Sequence, residues 1–314
     1  MEFDAPLFKL LAHNDTGQAV GHQGGIVVPK ALDEYFPQLS RRATREAPAP
    51  EEFVVADLFD GNRFLSTVET RYQYQTWGGE RSPERRLTKN LTPLRNLARA
   101  DDLLIIQRSL SDPSYYRLTL VRQTNPIYRA LKARVGDARW GLLEPGNQPT
   151  LETEVERQVE LIEARKMQDF ALFEVDPDMT ETRSRRIARS RAFQRLVSSV
   201  YDFSCAVCGN GLLHPSGRHE TQSAHIVPRH KSGADDIRNG IQMCRAHHWA
   251  FDEGILGIGA DYRILVPSAA LSLPQNEPLA DFAGREIRLP HQEAHFPHPT
   301  ALQWHLDNMI SFPD

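Results

Sequence analysis

All three cysteines of the chain, and its densest group of histidines, fall between Cys205 and Asp252. Cys205-Ala-Val-Cys208 is one C-x-x-C pair, and Cys244-Arg-Ala-His247 repeats the spacing with an imidazole at its end. Two such pairs can close a tetrahedral thiolate and imidazole site around zinc. A closed site of this kind is structural, because no coordination position is left for a substrate. Between the pairs stand Ser223-Ala-His225-Ile-Val-Pro228, the polar turn Ser232-Gly-Ala-Asp-Asp236, and Asn239. His248 follows the second pair directly, and Asp252 stands four residues later, so on a helix the two share a face and can grip one ion. A zinc knuckle that only folds a small domain has no use for His225, Asn239 and His248.

This order of C-x-x-C, His-Ile-x-Pro, Asn, then C-x-x-H followed by His resembles the zinc-containing HNH nucleases. The resemblance implies a phosphodiesterase, which needs a base to activate water and a cation to stabilise charge on the phosphate and the leaving oxygen. In that family the His before Ile is the general base, which falls here on His225. The family's Asn, here Asn239, braces the loop carrying the base, and the His opening the final helix, here His248, is a ligand of the catalytic metal. Many members carry Asp or His just before the general base as a further ligand, whereas this chain has Ala224. Some restriction-type HNH domains resemble it in having Ala there and Asp four residues past the helix His, which moves the ligand role to Asp252. A hard divalent cation, magnesium or manganese, suits a carboxylate-and-water site.

The rest of the chain must position this segment and its substrate. At 314 residues it is long enough for two ordinary domains. With 40% hydrophobic and 25% charged residues it has the composition of a globular protein. It has no apolar run of about 18 residues, so no membrane span is expected. Met1-Glu-Phe-Asp-Ala-Pro6 lacks the apolar stretch of a secretory signal, and the zinc site claims every cysteine, so a reducing cytoplasm is the expected compartment. The net charge of −4 argues against a protein that coats nucleic acid indiscriminately. Basic residues are instead local: Arg183, Arg185, Arg186, Arg189, Arg191 and Arg195 crowd one segment, and Arg81, Arg85, Arg86 and Lys89 another. Most such runs are solvated faces, but beside a nuclease motif phosphate contact is the better reading.

Near the N-terminus, His13-Asn-Asp-Thr-Gly17 offers turn chemistry, and Gly21, Gly24 and Gly25 precede a short apolar strand, Ile26-Val-Val28, that Pro29 stops. As a string, NDTG-x-x-x-GHQ-x-G-I-x-x-P resembles the N-terminal effector domain of EcoRII-type restriction endonucleases. A second block, Gly78-Gly-Glu-Arg-Ser-Pro-Glu-Arg-Arg-Leu-Thr88, is similar to a stretch of that family, one residue longer. The resemblance implies a DNA-binding pseudobarrel whose two arms clasp the major groove. One arm would present Asn14, Asp15, Thr16, Gly17, His22 and Gln23, and the other Arg81, Glu84, Arg85, Arg86 and Lys89. Strand patterns agree: Phe53 to Phe59 alternates up to the Asp60-Gly-Asn62 turn, Phe64 to Gln75 continues, and Leu103 to Gln107 and Tyr115 to Arg122 follow. Tyr72 and Tyr74 read as sheet packing. A short helix is expected at Leu94 to Ala98, capped by Thr92.

Gly136 to Thr150 is rich in Gly and Pro and reads as a boundary. Leu151, Val155, Val159 and Ile162 then recur at helical spacing, and a second helix near Ile187 to Tyr201 buries Phe193, Leu196, Val197 and Val200. The expectation is an α+β multidomain chain: a recognition pseudobarrel over 1–135, a linker with an amphipathic helix over 136–180, and a ββα-metal HNH domain with structural zinc over 181–314. Its expected function is sequence-specific cleavage of double-stranded DNA as a restriction-type endonuclease. One centre cuts one strand, so a double-strand break implies a homodimer or two sequential nicks, and a homodimer is the expected partner arrangement. Two alternatives stay open: restriction that depends on methylated bases, and a regulator that binds DNA with an inactive HNH fold.

Overall fold

The computed structural model describes residues 2–18, 24–37, 39, 50–75, 83–110, 112–144, 147–174, 182–214 and 219–310. The chain forms two compact units, Met1–Thr153 and Glu154–Asp314, and its architecture is mixed α+β.

The first unit is built on one large curled sheet. Its strands are β1 (Leu7–Leu10), β2 (Ile26–Val28), β3 (Glu51–Asp60), β4 (Arg63–Gln75), β5 (Glu84–Leu87), β6 (Leu103–Arg108), β7 (Tyr115–Val121) and β8 (Trp140–Leu142). They lie in the order β2-β5-β4-β3-β7-β6-β1-β8. Every neighbouring pair is antiparallel except β3 and β7, which run parallel with Val55 opposite Tyr115. Gly61 turns the β3–β4 hairpin at φ 57°, a left-handed conformation that glycine adopts without steric cost. Alternation along β3 and β7 sends Val54, Ala56, Leu58, Tyr116, Leu118 and Leu120 into a core that also takes Leu7, Ile26 and Leu87. There the Phe36 ring stacks between Tyr72 at 5.0 Å and Tyr116 at 5.3 Å. Tyr72 therefore packs in the sheet, as its strand position suggested, and Arg85 lies over the Tyr74 ring.

Among the described residues two short α-helices lie wholly in this unit, α1 (Thr92–Arg95) and α2 (Tyr128–Val135). Thr92 is the first helical residue of α1 and Leu91 holds the cap position, with no side-chain cap bond, so the Thr92 cap does not form. Leu91 and Leu94 anchor this turn in the core instead. The Gly- and Pro-rich stretch expected to be linker contributes β8, which pairs with β1 as Leu7 opposite Leu142. Leu143 is buried there beside Phe8, Leu10 and Val121.

The second unit takes α3 from its third residue onward (Glu152–Ala164), then α4 (Arg183–Val200), β9 (Gln222–His225), β10 (Gly240–Met243) and α5 (Arg245–Asp252). β11 (Gly257–Ile258), β12 (Ile264–Leu265), α6 (Ser268–Leu271), α7 (Glu277–Ala280) and α8 (Pro299–Met309) complete it. Thr182 caps α4 by accepting from the Arg185 N–H at 3.3 Å. Ala188, Ala192, Phe193 and Val197 of α4 are fully buried beside Ala224, Ile226, Ile241 and Met243 of the β9–β10 region. Arg191, contrary to what a phosphate-contacting run implies, falls within this stripe and is only 5% exposed.

Candidate functional site

The first cysteine pair sits on a tight turn. The Gly209 N–H donates to the Cys205 carbonyl at 2.8 Å, and Gly209 adopts φ 73° to leave the turn. Ala206 donates its N–H to the Gln242 carbonyl at 2.7 Å, which ties the turn to β10. The second pair uses a helix start: Cys244 is the N-cap of α5, and His247 lies one turn in. Their ligand atoms, with those of Cys205 and Cys208, all lie within 4.8 Å of one another. His247 Nδ1 is 3.4 Å from Cys205 Sγ and 3.1 Å from Cys244 Sγ. Tetrahedral zinc with bonds of about 2.0–2.3 Å sets its ligands roughly 3.5 Å apart, so the cluster has the right size. Its electrostatics fit as well. Burial pushes the Cys205 thiol up to about 12, helped by the neighbouring Cys244 and Cys208, and a bound cation reverses that penalty by favouring the thiolate. Burial also lowers the His247 pKa and favours the neutral ring a metal needs.

His225 ends β9, opposite Gly240 in the hairpin register. The chain then leaves the strand in a loop that Asn239 stitches shut. Asn239 Oδ1 accepts from the Val227 N–H at 2.9 Å, and its Nδ2 donates to the carbonyls of Val227 at 3.2 Å and Ala234 at 2.9 Å. The Ile226 N–H donates to the Asn239 carbonyl at 2.9 Å. Gly233 passes so close that a Cβ there would overlap the Val227 carbonyl. The His225 ring stacks on Phe193 of α4, with centroids 3.7 Å apart and planes at 8°.

His225 also has a partner that the sequence reading missed. Its Nε2 lies 2.8 Å from Oδ1 of Asp235, a side chain only 2% exposed. Oδ2 of the same carboxylate meets Arg189 Nε at 2.8 Å and Arg229 Nη1 at 3.3 Å. Burial alone would raise this carboxyl, but the hydrogen bond from His225 and the guanidinium charges of Arg229 and Arg189 outweigh it. Asp235 is held below the usual carboxylate range. The signal was an acid four residues before Asn239. Nothing in the spacing distinguishes Asp235 from Asp236, which instead accepts from the Arg238 N–H at 2.9 Å and pairs with its guanidinium.

On α5, His248 Nε2 lies 3.3 Å from Asp252 Oδ2. Two ligands at right angles on one ion with bonds of about 2.1 Å are separated by roughly 3 Å, so the pair is spaced for a magnesium-sized ion. His248 Nδ1 is 3.0 Å from Gln222 Oε1 on β9. Gln222, also unforeseen, thereby fixes the second ring.

The proposed DNA-reading residues fall into three groups. His22, Gln23 and Arg81 lie outside the described residues. Asn14 and Gly17 are exposed. Asp15 and Thr16 are wholly buried, so their side chains are engaged inside the unit. Asp15 accepts from Lys9 Nζ and from the Val27 N–H, each at 2.8 Å, and from the Ala12 N–H at 2.8 Å. Arg95 grips the same turn, with Nε donating to the Asp15 carbonyl at 3.0 Å and Nη2 to the Thr16 carbonyl at 2.6 Å. Arg85 pairs with Asp33, and Arg86 with Glu84 at 2.9 Å; both arginine side chains are largely buried. Lys89 is half exposed beside Glu69 at 3.4 Å.

Residues 205–259 match the family of HNH endonucleases. A search of curated protein sequences finds no match. Among solved structures the chain is similar to a modification-dependent TagI restriction endonuclease, with 22% identity and a TM-score of 0.31. That match covers 39% of this chain and 39% of TagI, so it spans well under half of the relative. It is also similar to the N-terminal domain of Helicobacter pylori LlaJI.R1, with 13% identity and a TM-score of 0.29, over 44% of this chain and 95% of that one.

Proposed function

With an HNH endonuclease domain at residues 205–259, we propose that the chain is a metal-dependent DNA endonuclease of the restriction type. The observation that carries the reading is His225, stacked on Phe193 and held to a buried carboxylate, at the start of a loop that Asn239 closes with three hydrogen bonds. A general base must be held within reach of the proton it takes, and few side chains of a merely structural knuckle are fixed so thoroughly. His225 takes the proton of the attacking water, and Asn239 keeps its loop in place. His248 and Asp252 would hold a magnesium or manganese ion, which when bound supplies positive charge for the phosphate and the leaving oxygen. Cys205, Cys208, Cys244 and His247 would hold a structural zinc, which when bound would tie the start of α5 to the first knuckle.

Recognition of double-stranded DNA is assigned to the first unit, through Asn14, Gly17 and Lys89 together with His22, Gln23 and Arg81. Two copies, each cutting one strand, produce the double-strand break. The test is digestion of methylated and unmethylated genomic DNA with magnesium or manganese, followed by sequencing of the ends. Defined ends are expected from the wild type. His225→Ala is expected to bind DNA as before and to cut about 10²–10⁴-fold more slowly. Cleavage by that variant within tenfold of wild type overturns the assignment of the base, and no cleavage of any DNA by the wild type overturns the whole reading.

A further inference from the structure

A neutral imidazole carries its hydrogen on one nitrogen and its lone pair on the other, so a base is defined by whatever binds the nitrogen it does not use. In His225 that nitrogen is Nε2, 2.8 Å from Asp235 Oδ1. The second oxygen, Oδ2, faces Arg189 Nε at 2.8 Å and Arg229 Nη1 at 3.3 Å. Guanidinium groups only donate, so they leave the carboxylate ionised and Oδ1 able only to accept. Nε2 must then be the donor, and the lone pair falls on Nδ1. Among the described residues Nδ1 has no hydrogen-bond partner, and the side chain keeps 16% of its surface exposed. Phe193 fixes the plane of the ring.

Resting on the reading of His225 as the general base, we propose that Asp235 is its positioning residue, holding the ring in the Nε2–H form so that Nδ1 is the atom that takes the proton of the water. Arg189 and Arg229 act one step further out, by fixing which carboxylate oxygen meets the ring. Arg229 also lies 3.7 Å from Glu174, which Arg165 grips through both oxygens at 2.8 and 3.2 Å, so the clamp is anchored beyond the pair itself.

The clamp makes a sharp test of Asp235→Asn. Arg189 and Arg229 present only donors to the place of Oδ2, where an NH₂ would face them without an acceptor, so the amide oxygen of the new side chain takes that place. Its NH₂ then occupies the place of Oδ1 and donates to Nε2. The hydrogen of the ring is driven to Nδ1, and the base is lost although the shape is unchanged. Nitrogen-15 NMR of histidine-labelled full-length protein at about pH 8.5, where imidazoles are mostly neutral, reads the form directly; the His225 signals are assigned by their loss in His225→Ala. The wild type is expected in the Nε2–H form and Asp235→Asn in the Nδ1–H form. Cleavage by the variant should fall about 10²–10⁴-fold, with zinc content, melting temperature and DNA affinity kept. An Nδ1–H ring in the wild type overturns the proposal whether or not the variant folds. So does a folded Asp235→Asn that keeps the Nε2–H form or cuts within threefold of wild type. If His225→Ala still cuts, the general-base reading fails first; if it is inactive while Asp235→Asn is fully active, only the role of Asp235 fails.

Discussion

Replacing Asn239 by Ala removes a side chain that joins both ends of the loop between His225 and β10. Three backbone groups lose their partners: the N–H and carbonyl of Val227 and the carbonyl of Ala234. Both residues are buried, at 0% and 1% exposure. A buried polar group left unpaired costs about 1–3 kcal/mol, and carbonyls that recover a water fall at the low end, so the sum is about 3–5 kcal/mol. A domain of ordinary stability has only about 5–15 kcal/mol to lose. In a unit of about 160 residues, counting from Glu154 to Asp314, each kcal/mol shifts melting by about 2–4 °C, which gives a drop of roughly 6–20 °C. Asn239→Asp is the informative partner. It keeps an acceptor for the Val227 N–H but turns a second carboxylate oxygen towards two carbonyl oxygens, so at neutral pH it should be no more stable than Ala. Calorimetry of the three proteins, with cleavage measured well below the lowest transition, checks this. A melting temperature of Asn239→Ala within 2 °C of wild type, or full rescue by Asp, refutes the account of the loop.

Cys205→Ser should cost metal and structure together, because a structural zinc site contributes folding free energy; a variant with one full zinc equivalent and a native melting curve would falsify the zinc assignment. Asp252→Asn should raise the magnesium or manganese concentration for half-maximal cleavage and leave DNA affinity unchanged; an unaltered titration returns Asp252 to a surface role. His305, buried against Phe251 with centroids 3.6 Å apart, has its pKa lowered by burial to about 4. Between that value and the unfolded value of about 6.5, the unfolded chain takes the proton and the folded one does not. The stability is therefore complete above about pH 6.5 and declines as pH falls towards 4, by about 2 kcal/mol between pH 7 and 5. Denaturation midpoints across that range should show a shallower slope in His305→Leu, and equal slopes would remove His305 as the cause.

The clustering of Cys205, Cys208, Cys244 and His247 was legible because each pair lies within four residues, where a turn or a helix start alone brings the side chains together. Most strands of the first unit were legible for a similar reason, since alternation is local. The order in which they pair is not local, and nothing in the pattern announces that β3 lies parallel to β7. The same limit governs the arms. Asn-Asp-Thr-Gly reads as an exposed polar turn, yet Lys9, in the middle of an apolar strand, draws Asp15 inside. Arg191 follows Ala188 by three residues and so lies on the buried stripe, which a count of arginines conceals. Asp235 was invisible as a partner of His225 because it stands ten positions further along and only the path of the loop between them brings the two to 2.8 Å.

The place of β1 has a consequence for how the chain is made. It lies between β6 and β8, so Leu7 meets Ile106 on one side and Leu142 on the other, about 100 and 135 residues further along. During synthesis the strand leaves the ribosome long before either partner exists, and closing contacts across such separations is slow. Through that interval Leu7-Phe-Lys-Leu-Leu11 is an apolar segment with two unpaired edges, the kind that associates with other chains. Lys9 is the one charge within it. Its ammonium guards the nascent strand against association, and the finished sheet then takes that charge in against Asp15.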